Sequence, residues 1–383
     1  MTINSKNQKE FYDVRAVQAV INLDALRHNL TRVKELASGS QVISVIKANA
    51  YGHGVLPVAK ALSDSDCFAV ARLDEAIYLR KNGINKTIML LEGVFSADEY
   101  LSCVEYGFIP AIHCLEQFQW LQDFVEQNHQ SLDYWLKIDT GMHRLGLSED
   151  ERLLLVEHFL HSESINTPIG IMSHFACADE TENTLNSKQL AQFENFCAKN
   201  VFSGIDKSMA NSAAILSLPD AHFDWVRPGI MLYGISPFES SSPVRNGLDE
   251  HLKPVMTLSS ELIAIKKLKQ NDCIGYGSTW CCPEDMTIGV VAIGYGDGYP
   301  RHAPSGTPVL IHGIELPTVG RVSMDMITVD LRRLEKKSIA ASIGDKVVLW
   351  GNGLPVERVS QKSGTIAYEL LCQITQRVHF EYE

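Results

Sequence analysis

The segment VISVIKANAYGHG, residues 42–54, sets Lys47 just past an apolar run and ahead of a tyrosine and two glycines. A lysine so placed can lose its proton to desolvation and act as a nucleophilic amine that forms a Schiff base, or it can snorkel its ammonium into water. The residues alone leave both readings open. His174 closes the run Ile169–His174 and is a candidate proton carrier or a hydrogen-bonded core histidine. Arg227, ending Trp225–Arg227, is a candidate ligand cation or a surface guanidinium at a strand terminus. Tyr276, after a glycine in IGYGSTW, reads by itself as a turn tyrosine. ANSAA, residues 210–214, reads as a small-residue helix start with Asn211 or Ser212 as N-cap, and the same free N–H groups suit a phosphate. The glycines of IGYGDGYPR, residues 293–301, superficially suggest a dinucleotide loop, but they lead into Tyr299-Pro300 rather than a helix.

Such groups need elements to hold them. From about residue 16 to 230, short apolar runs alternate with segments of helical apolar spacing, the pattern of βα units around a parallel sheet. Eight runs stand out: Val42–Ala48, Cys67–Ala71, Thr87–Leu91, Ile109–Cys114, Tyr134–Ile138, Pro168–His174, Ser208–Asn211 and Trp225–Arg227. Helical patterns such as Ser96–Glu105, Glu116–Gln127 and Leu185–Ala198 lie between them, and a strand Val17–Ile21 precedes a first helix, Asp24–Leu36. Eight alternations predict an α/β fold, a (β/α)8 TIM-like barrel rather than an open doubly wound sheet, with chemistry at the C-terminal ends of its strands. After the Ser/Pro-rich stretch 236–243 the rhythm changes to short β-like runs, Val255–Lys267, Thr287–Ile293, Thr307–Ile311, Glu315–Val319, Met326–Asp330 and Lys346–Leu349, with helices at Val356–Ser363 and Ile366–Leu371. The expected domains are a barrel over 11–245 and a mostly β domain over 246–383, which residues 1–10 are candidates to join.

The Lys47 segment resembles the pyridoxal-phosphate lysine motif of alanine racemases. KIDTGMHRLG (137–146), SHFACAD (173–179), ANSAA, VRPGIMLYG (226–234), IGYGSTW (274–280), IGYGDGYPR, VGRVSMDM (319–326) and TIAYELLC (365–372) are similar to that family's other signatures, in the same order and over nearly the whole chain. The resemblance is to the alanine racemase family of fold-type III pyridoxal-phosphate enzymes. It implies a cofactor-holding barrel, a β domain, and a homodimer whose active sites take residues from both subunits. The implied reaction interconverts L- and D-alanine, for D-alanine supply to peptidoglycan or for alanine catabolism.

The resemblance also assigns roles. Racemisation needs proton exchange on both faces of the substrate α-carbon, and Lys47 and Tyr276 match the family's two bases, Tyr276 from the second subunit. His174 and Arg227 match the network that supports the tyrosine, and Arg227 the arginine facing the pyridine nitrogen. An arginine keeps its protons, so the ring remains a weaker electron sink, which suits racemisation over transamination. Tyr51, Tyr368, Ser212, Gly229 and Ile230 match the phosphate cup. Arg144 matches the arginine near the cofactor oxygen and the substrate carboxylate, which also receives the Met324 backbone N–H. Lys137 matches a lysine that is often carbamylated, with an unmodified lysine or a bound anion as rival states. Tyr276 and Tyr368 resemble an inner gate, Arg301, Arg321, Asp179 and Ile366 an outer ring, with Tyr295 near the entrance. A narrow mouth favours alanine by steric exclusion. A wider-specificity racemase acting on serine is the nearest alternative. A decarboxylase of basic amino acids should carry a glutamate in place of Arg227 and a catalytic cysteine in the β domain. A barrel-only cofactor carrier should lack IGYGSTW and VGRVSMDM.

The charge balance of 34 basic against 46 acidic residues, net -12, opposes binding to nucleic acid, and no basic face or zinc spacing suggests it. The densest basic run, KKLK at 266–269, is expected to be a solvated strand edge. No stretch approaches the ~18 apolar residues of a membrane span, and the start lacks a signal-peptide core, so a cytoplasmic location is expected. The nine cysteines, with no C-x-x-C pair, are expected to be reduced and mostly buried. The adjacent pair Cys281-Cys282 is not expected to form a disulfide. The leading segment before the first strand is read as a tail or as an added strand of the β domain.

Overall fold

The first strand, β1 (Gln18–Ile21), and the eight that follow go to different sheets. Strands β2 (Gln41–Val45), β3 (Cys67–Val70), β4 (Ile88–Leu90), β5 (Phe108–Ile112), β6 (Trp135–Lys137), β7 (Gly170–Met172), β8 (Asp206–Ser208) and β9 (Trp225–Val226) pair in chain order. They close into a parallel barrel through Gln41↔Trp225 and Val42↔Val226. The computed structural model describes residues 16–161, 167–239 and 251–383. These divide into two units, one of the described residues up to Ala25 with Lys253–Glu383, the other of those within Leu26–Leu252.

The barrel strands are apolar because they are covered on both faces: β3, β4 and β7 are buried at every position. One interior position admits only glycine, since a Cβ on Gly170 would lie 2.4 Å from the Trp135 ring. Trp135 fills that space and meets Trp225 edge-on at 6.3 Å. Helices follow the expected spacing on the outside: Leu115–Asn128 buries Gln117, Phe118, Leu121 and Phe124 on one stripe. Thr184–Cys197 starts at Asn183, whose side chain accepts the Leu185 N–H at 3.0 Å.

In the other unit, the strands β10 (Met256–Leu268), β11 (Cys273–Ile274), β12 (Trp280–Cys281), β13 (Met286–Val291), β14 (Pro308–Ile311), β15 (Ile314–Pro317), β16 (Ile327–Asp330), β17 (Lys346–Trp350) and β18 (His379–Tyr382) follow. An eight-stranded sheet runs β15-β14-β17-β10-β1-β18, with β13 paired to β10 and β16 to β13. The β1 segment, expected inside the barrel's range from residue 11, therefore belongs to this sheet. It runs antiparallel to β10 and parallel to β18, and only alternate residues, Ala19 and Ile21, are buried. A strand buried on one face suits this sheet and not the barrel. The expected boundary at 245 and residues 1–10 lie outside the described residues.

The cysteines depart from expectation. Cys273 and Cys281, opposite each other across the β11–β12 hairpin, form a disulfide, while Cys282 packs in a cluster with Ile274, Met286, Ile288 and Val319. Their spacing of eight residues carried no signal, because only the hairpin register brings them face to face. Lys266, Lys267 and Lys269 are exposed, so that basic run is solvated as expected. Among the described residues no helix is long and apolar enough to cross a membrane.

Candidate active site

The β2 ladder ends where the Ile46 N–H donates to the Ala69 carbonyl, and Lys47 follows, half-buried, at the strand's C-terminal end. The chain then turns the wrong way. Ala48, Asn49, Ala50 and Tyr51 all adopt left-handed φ values of 52–54°, at a cost of about 1–2 kcal/mol per residue for side chains with a Cβ. Ala48 was expected in a strand, and it instead opens a left-handed turn that runs to Tyr51. Local bonds hold it: the Asn49 side chain accepts the Val55 N–H at 2.8 Å, and the Gly52 N–H donates to the Ala48 carbonyl at 3.0 Å.

The turn buries Tyr51 beside Tyr233, ring centroids 4.8 Å apart, and aims its hydroxyl at Gly229. A Cβ on Gly229 would lie 2.6 Å from the Tyr51 oxygen and 3.9 Å from the Ser212 oxygen. Ser212 Oγ accepts the Gly229 N–H at 2.9 Å and the Met231 N–H at 3.3 Å, and Ile230 starts the 3-10 turn Ile230–Tyr233. Asn211 is the N-cap of Ser212–Ser217 through the Ala214 N–H at 3.0 Å. Tyr51, Ser212, Gly229 and Ile230 thus form one buried cradle of hydroxyls and N–H groups after β8 and β9.

Four cations share the same end of the barrel. Lys137 closes β6, and Arg144 sits in the loop beyond it. In that loop Asp139 accepts the N–H groups of Gly141, Met142 and His143 at 2.8, 3.1 and 3.1 Å. Arg227 is 5% exposed and spends its guanidinium on neutral acceptors: Ser208 Oγ at 2.5 Å, the Met209 carbonyl at 3.3 Å and the Ser173 carbonyl. It also meets His174 Nδ1 at 3.4 Å. A guanidinium can only donate, so that nitrogen must accept and the imidazole is neutral.

The charges agree. Burial, then Arg227, Lys137, Arg144 and Lys47 in turn, push His174 well below the ordinary histidine range. Burial and the cations Arg227, Arg144 and Lys47 bring Lys137 down to about 8, against an opposing pull from Glu92, and burial lowers Arg227 to about 10. The site is short of negative charge, as a pocket for an anionic ligand should be. Asp179 lies exposed beyond β7.

The remaining expected residues belong to the β unit. Tyr276 opens the 3-10 turn joining β11 and β12 and is 69% exposed. A Cβ on Gly277 would stand 3.2 Å from the Arg321 guanidinium, so Arg321 lies over this hairpin tip. Tyr295 and Met324 are neighbours: the Tyr295 N–H donates to the Ser323 carbonyl at 3.1 Å and the Gly296 N–H to the Met324 carbonyl at 2.9 Å. Gly294 has no room for a Cβ, which would lie 2.3 Å from both carbonyl oxygens. Ile366 is the N-cap position of Ala367–Cys372, which carries Tyr368, and Arg301 is exposed.

Sequence reasoning passed over the residues that hold these groups. Gln189, fully buried, donates to the His174 carbonyl at 3.0 Å and accepts the Ala176 N–H at 3.0 Å. Arg377 ion-pairs with Asp297 at 3.3 Å and Asp325 at 2.6 Å, tying the Tyr295 turn to the Met324 loop. The aspartate of G-Y-G-D-G was the available signal for the latter; Gln189 offered none.

Comparison with known proteins matches residues 21–237 to the alanine racemase N-terminal domain and residues 255–382 to the alanine racemase C-terminal domain. An alanine racemase of Coxiella burnetii (strain RSA 493 / Nine Mile phase I) is 49% identical over 363 residues, 94% of this chain and 97% of that one. The crystal structure of biosynthetic alanine racemase from Pseudomonas aeruginosa superposes with a TM-score of 0.88 at 41% identity, covering 97% of this chain and 100% of that one. The crystal structure of alanine racemase from Bartonella henselae, with covalently bound pyridoxal phosphate, gives 0.87 at 30% identity, over 96% and 99% of the two chains. The residues placed on the barrel and on the β unit thus lie in two matched halves of one enzyme, and the chain belongs to the alanine racemase family of pyridoxal-phosphate-dependent isomerases, which interconvert L- and D-alanine.

Proposed function

We propose that this racemase works as a homodimer in which Lys47 of one subunit and Tyr276 of the other exchange the substrate α-proton on opposite faces. The observation that carries this reading is the cluster of Lys47, Lys137, Arg144 and Arg227 around a neutral His174, next to the hydroxyl and N–H cradle of Tyr51, Ser212 and Gly229. That donor set fits pyridoxal phosphate, which brings a phosphate, a phenolic oxygen and a pyridine nitrogen to a site rich in cations and N–H groups. When bound, pyridoxal phosphate draws electrons from the substrate amino group into its ring and so acidifies the α-proton.

The chain's own groups do the rest. Tyr51, Ser212, Tyr368 and the N–H groups of Gly229 and Ile230 grip the phosphate. Arg227 faces the pyridine nitrogen as a donor that keeps its own protons, which restrains electron withdrawal and disfavours transamination. Arg144 and the Met324 N–H orient the substrate carboxylate. Lys47 takes or returns the proton on the D face and Tyr276 on the L face, the phenol working beside neutral His174 and Arg227. Lys137, lowered to about 8, keeps a share of unprotonated amine near neutrality. That amine can add to carbon dioxide, forming an N–C bond and releasing one proton, and the resulting carbamate would clamp Arg144. Tyr295, Arg301, Arg321, Asp179 and Ile366 line the approach and narrow it to alanine over serine. The reaction serves D-alanine supply for peptidoglycan or alanine catabolism.

The dimer is supported by apolar residues left on the surface of the β unit: Tyr276, Met324, Met326 and Ile366 are 69%, 51%, 44% and 62% exposed. A second copy seated there would cover them. The test mixes two separately inactive variants, Lys47→Ala and Tyr276→Ala, and assays D-alanine formation from L-alanine by chiral chromatography. Each hybrid dimer then holds one intact site, so random assortment restores about a quarter of wild-type activity. No recovery in mixtures shown to exchange subunits sinks the shared-site reading. D-serine formation from L-serine at comparable rates sinks the narrow gate.

A further inference from the structure

Glu75 is the third residue of helix Leu73–Lys81, which follows β3, and its two carboxylate oxygens serve different loops. Oε2 accepts the Ala71 N–H at 2.9 Å and the Arg72 N–H at 3.4 Å, at the start of its own helix. Oε1 accepts the Ala48 N–H at 2.7 Å, the first peptide after Lys47. That second bond reaches into the preceding βα unit and ends on the residue that opens the left-handed turn. A helix cap needs only one of these oxygens. Both are engaged, and the one that capping leaves over is spent on the lysine's turn.

We infer that Glu75 is a positioning residue for Lys47: by bridging the loops after β2 and β3 it holds the turn in its left-handed form and fixes the direction in which the lysine leaves the strand. The inference rests on Lys47 being the cofactor lysine. An anion is required because only a carboxylate offers acceptors on both sides; glutamine would set its NH2 against one of the N–H donors.

The test uses full-length enzyme loaded with pyridoxal phosphate, comparing wild type with Glu75→Gln, Ala48→Gly and the double variant. Read out are the visible circular dichroism of the bound cofactor, its dissociation constant, kcat and KM separately, and the thermal midpoint. Glu75→Gln should weaken cofactor binding about tenfold, the scale of one charge-assisted hydrogen bond lost. It should also change the visible dichroism and lower kcat more than it raises KM. Adding Ala48→Gly should recover a large part of the affinity and dichroism, since glycine adopts the φ of +53° at residue 48 without a Cβ penalty.

If Glu75 only caps its helix, Glu75→Gln lowers the thermal midpoint but leaves dichroism and kcat per bound cofactor unchanged, and Ala48→Gly rescues nothing; that result overturns the inference. Should Glu75→Gln not fold, Glu75→Asp keeps the charge on a shorter arm and must give the same rescue by Ala48→Gly. Borohydride reduction and peptide mapping of the wild type separate the two layers. Cofactor found on another lysine overturns the reading of Lys47 itself, whereas cofactor on Lys47 with no effect of either Glu75 variant overturns only the role of Glu75.

Discussion

Lys137 gives the most direct measure of the charge imbalance in the barrel mouth. Burial and the neighbouring Arg227, Arg144 and Lys47 lower its amine from 10.5 to about 8. At about 1.4 kcal/mol for each tenfold change in proton affinity, holding a protonated Lys137 in the folded apoprotein costs roughly 3 kcal/mol. Below pH 8 the amine is protonated both folded and unfolded, and the folded state carries the whole penalty. Between 8 and 10.5 the folded chain has released the proton while the unfolded chain retains it, so stability rises with pH. Above 10.5 both are neutral and the term is constant. Lys137→Met keeps the side chain's length without the charge. In carbon-dioxide-free buffer its apoprotein should melt above wild type at pH 7 by roughly 6–12 °C, at about 2–4 °C per kcal/mol for a unit of this size. The gap should close as pH approaches 10.5. Paired calorimetric scans from pH 7 to 10.5 measure it, and the difference between the two proteins cancels other groups that titrate in both. A gap that ignores pH, or a variant that melts lower at pH 7, refutes the account of Lys137 as an uncompensated cation.

Two further outcomes follow from the same geometry. Gly229→Ala would place a methyl 2.6 Å from the Tyr51 oxygen, so the cradle must open and the pyridoxal-phosphate dissociation constant should rise roughly ten- to hundredfold, the scale of 1–3 kcal/mol for an overpacked site. Fluorescence titration of the apoprotein reads this, and an unchanged constant removes Tyr51 from the cradle. Arg227→Gln removes the largest cationic influence on His174 after burial, so the imidazole should titrate higher than in wild type while staying below 6.5. Histidine-selective NMR follows it, and a titration that does not move would show that the two groups are not coupled.

The sequence made the barrel legible because strands covered on both faces must be apolar and short, and all eight expected runs overlap a barrel strand. Their ends were less legible. Ser208–Asn211 was expected as a strand, yet β8 occupies Asp206–Ser208 and Asn211 caps the next helix. Ala48 and Asn49 show why: KANAY by itself does not mark a left-handed turn, because the partners that hold it, the Glu75 carboxylate on the Ala48 N–H and the Val55 N–H on the Asn49 side chain, lie outside that run. β18 passed unnoticed, since HFEY is only partly apolar and its place beside β1 comes from pairing across nearly the whole chain. At the site, the cations and hydroxyls were found by type and motif. Their supports were not, because Gln189 and Arg377 act through contacts with residues far from them in the chain.

The place of β1 also bears on the order in which the protein can be made. Its partners are β10, which starts at Met256, and β18, which ends at Tyr382. On the ribosome β1 emerges before the whole barrel, and its second partner is made only after the barrel and the other strands of the sheet. The barrel can complete its own local pairings meanwhile, since neighbouring strands there are successive in the chain. The other sheet must wait until β18 has left the ribosome. A fragment starting at Lys253 would lack the strand between β10 and β18 and would expose two unpaired backbone edges, an invitation to aggregate that a separately supplied β1 peptide could relieve.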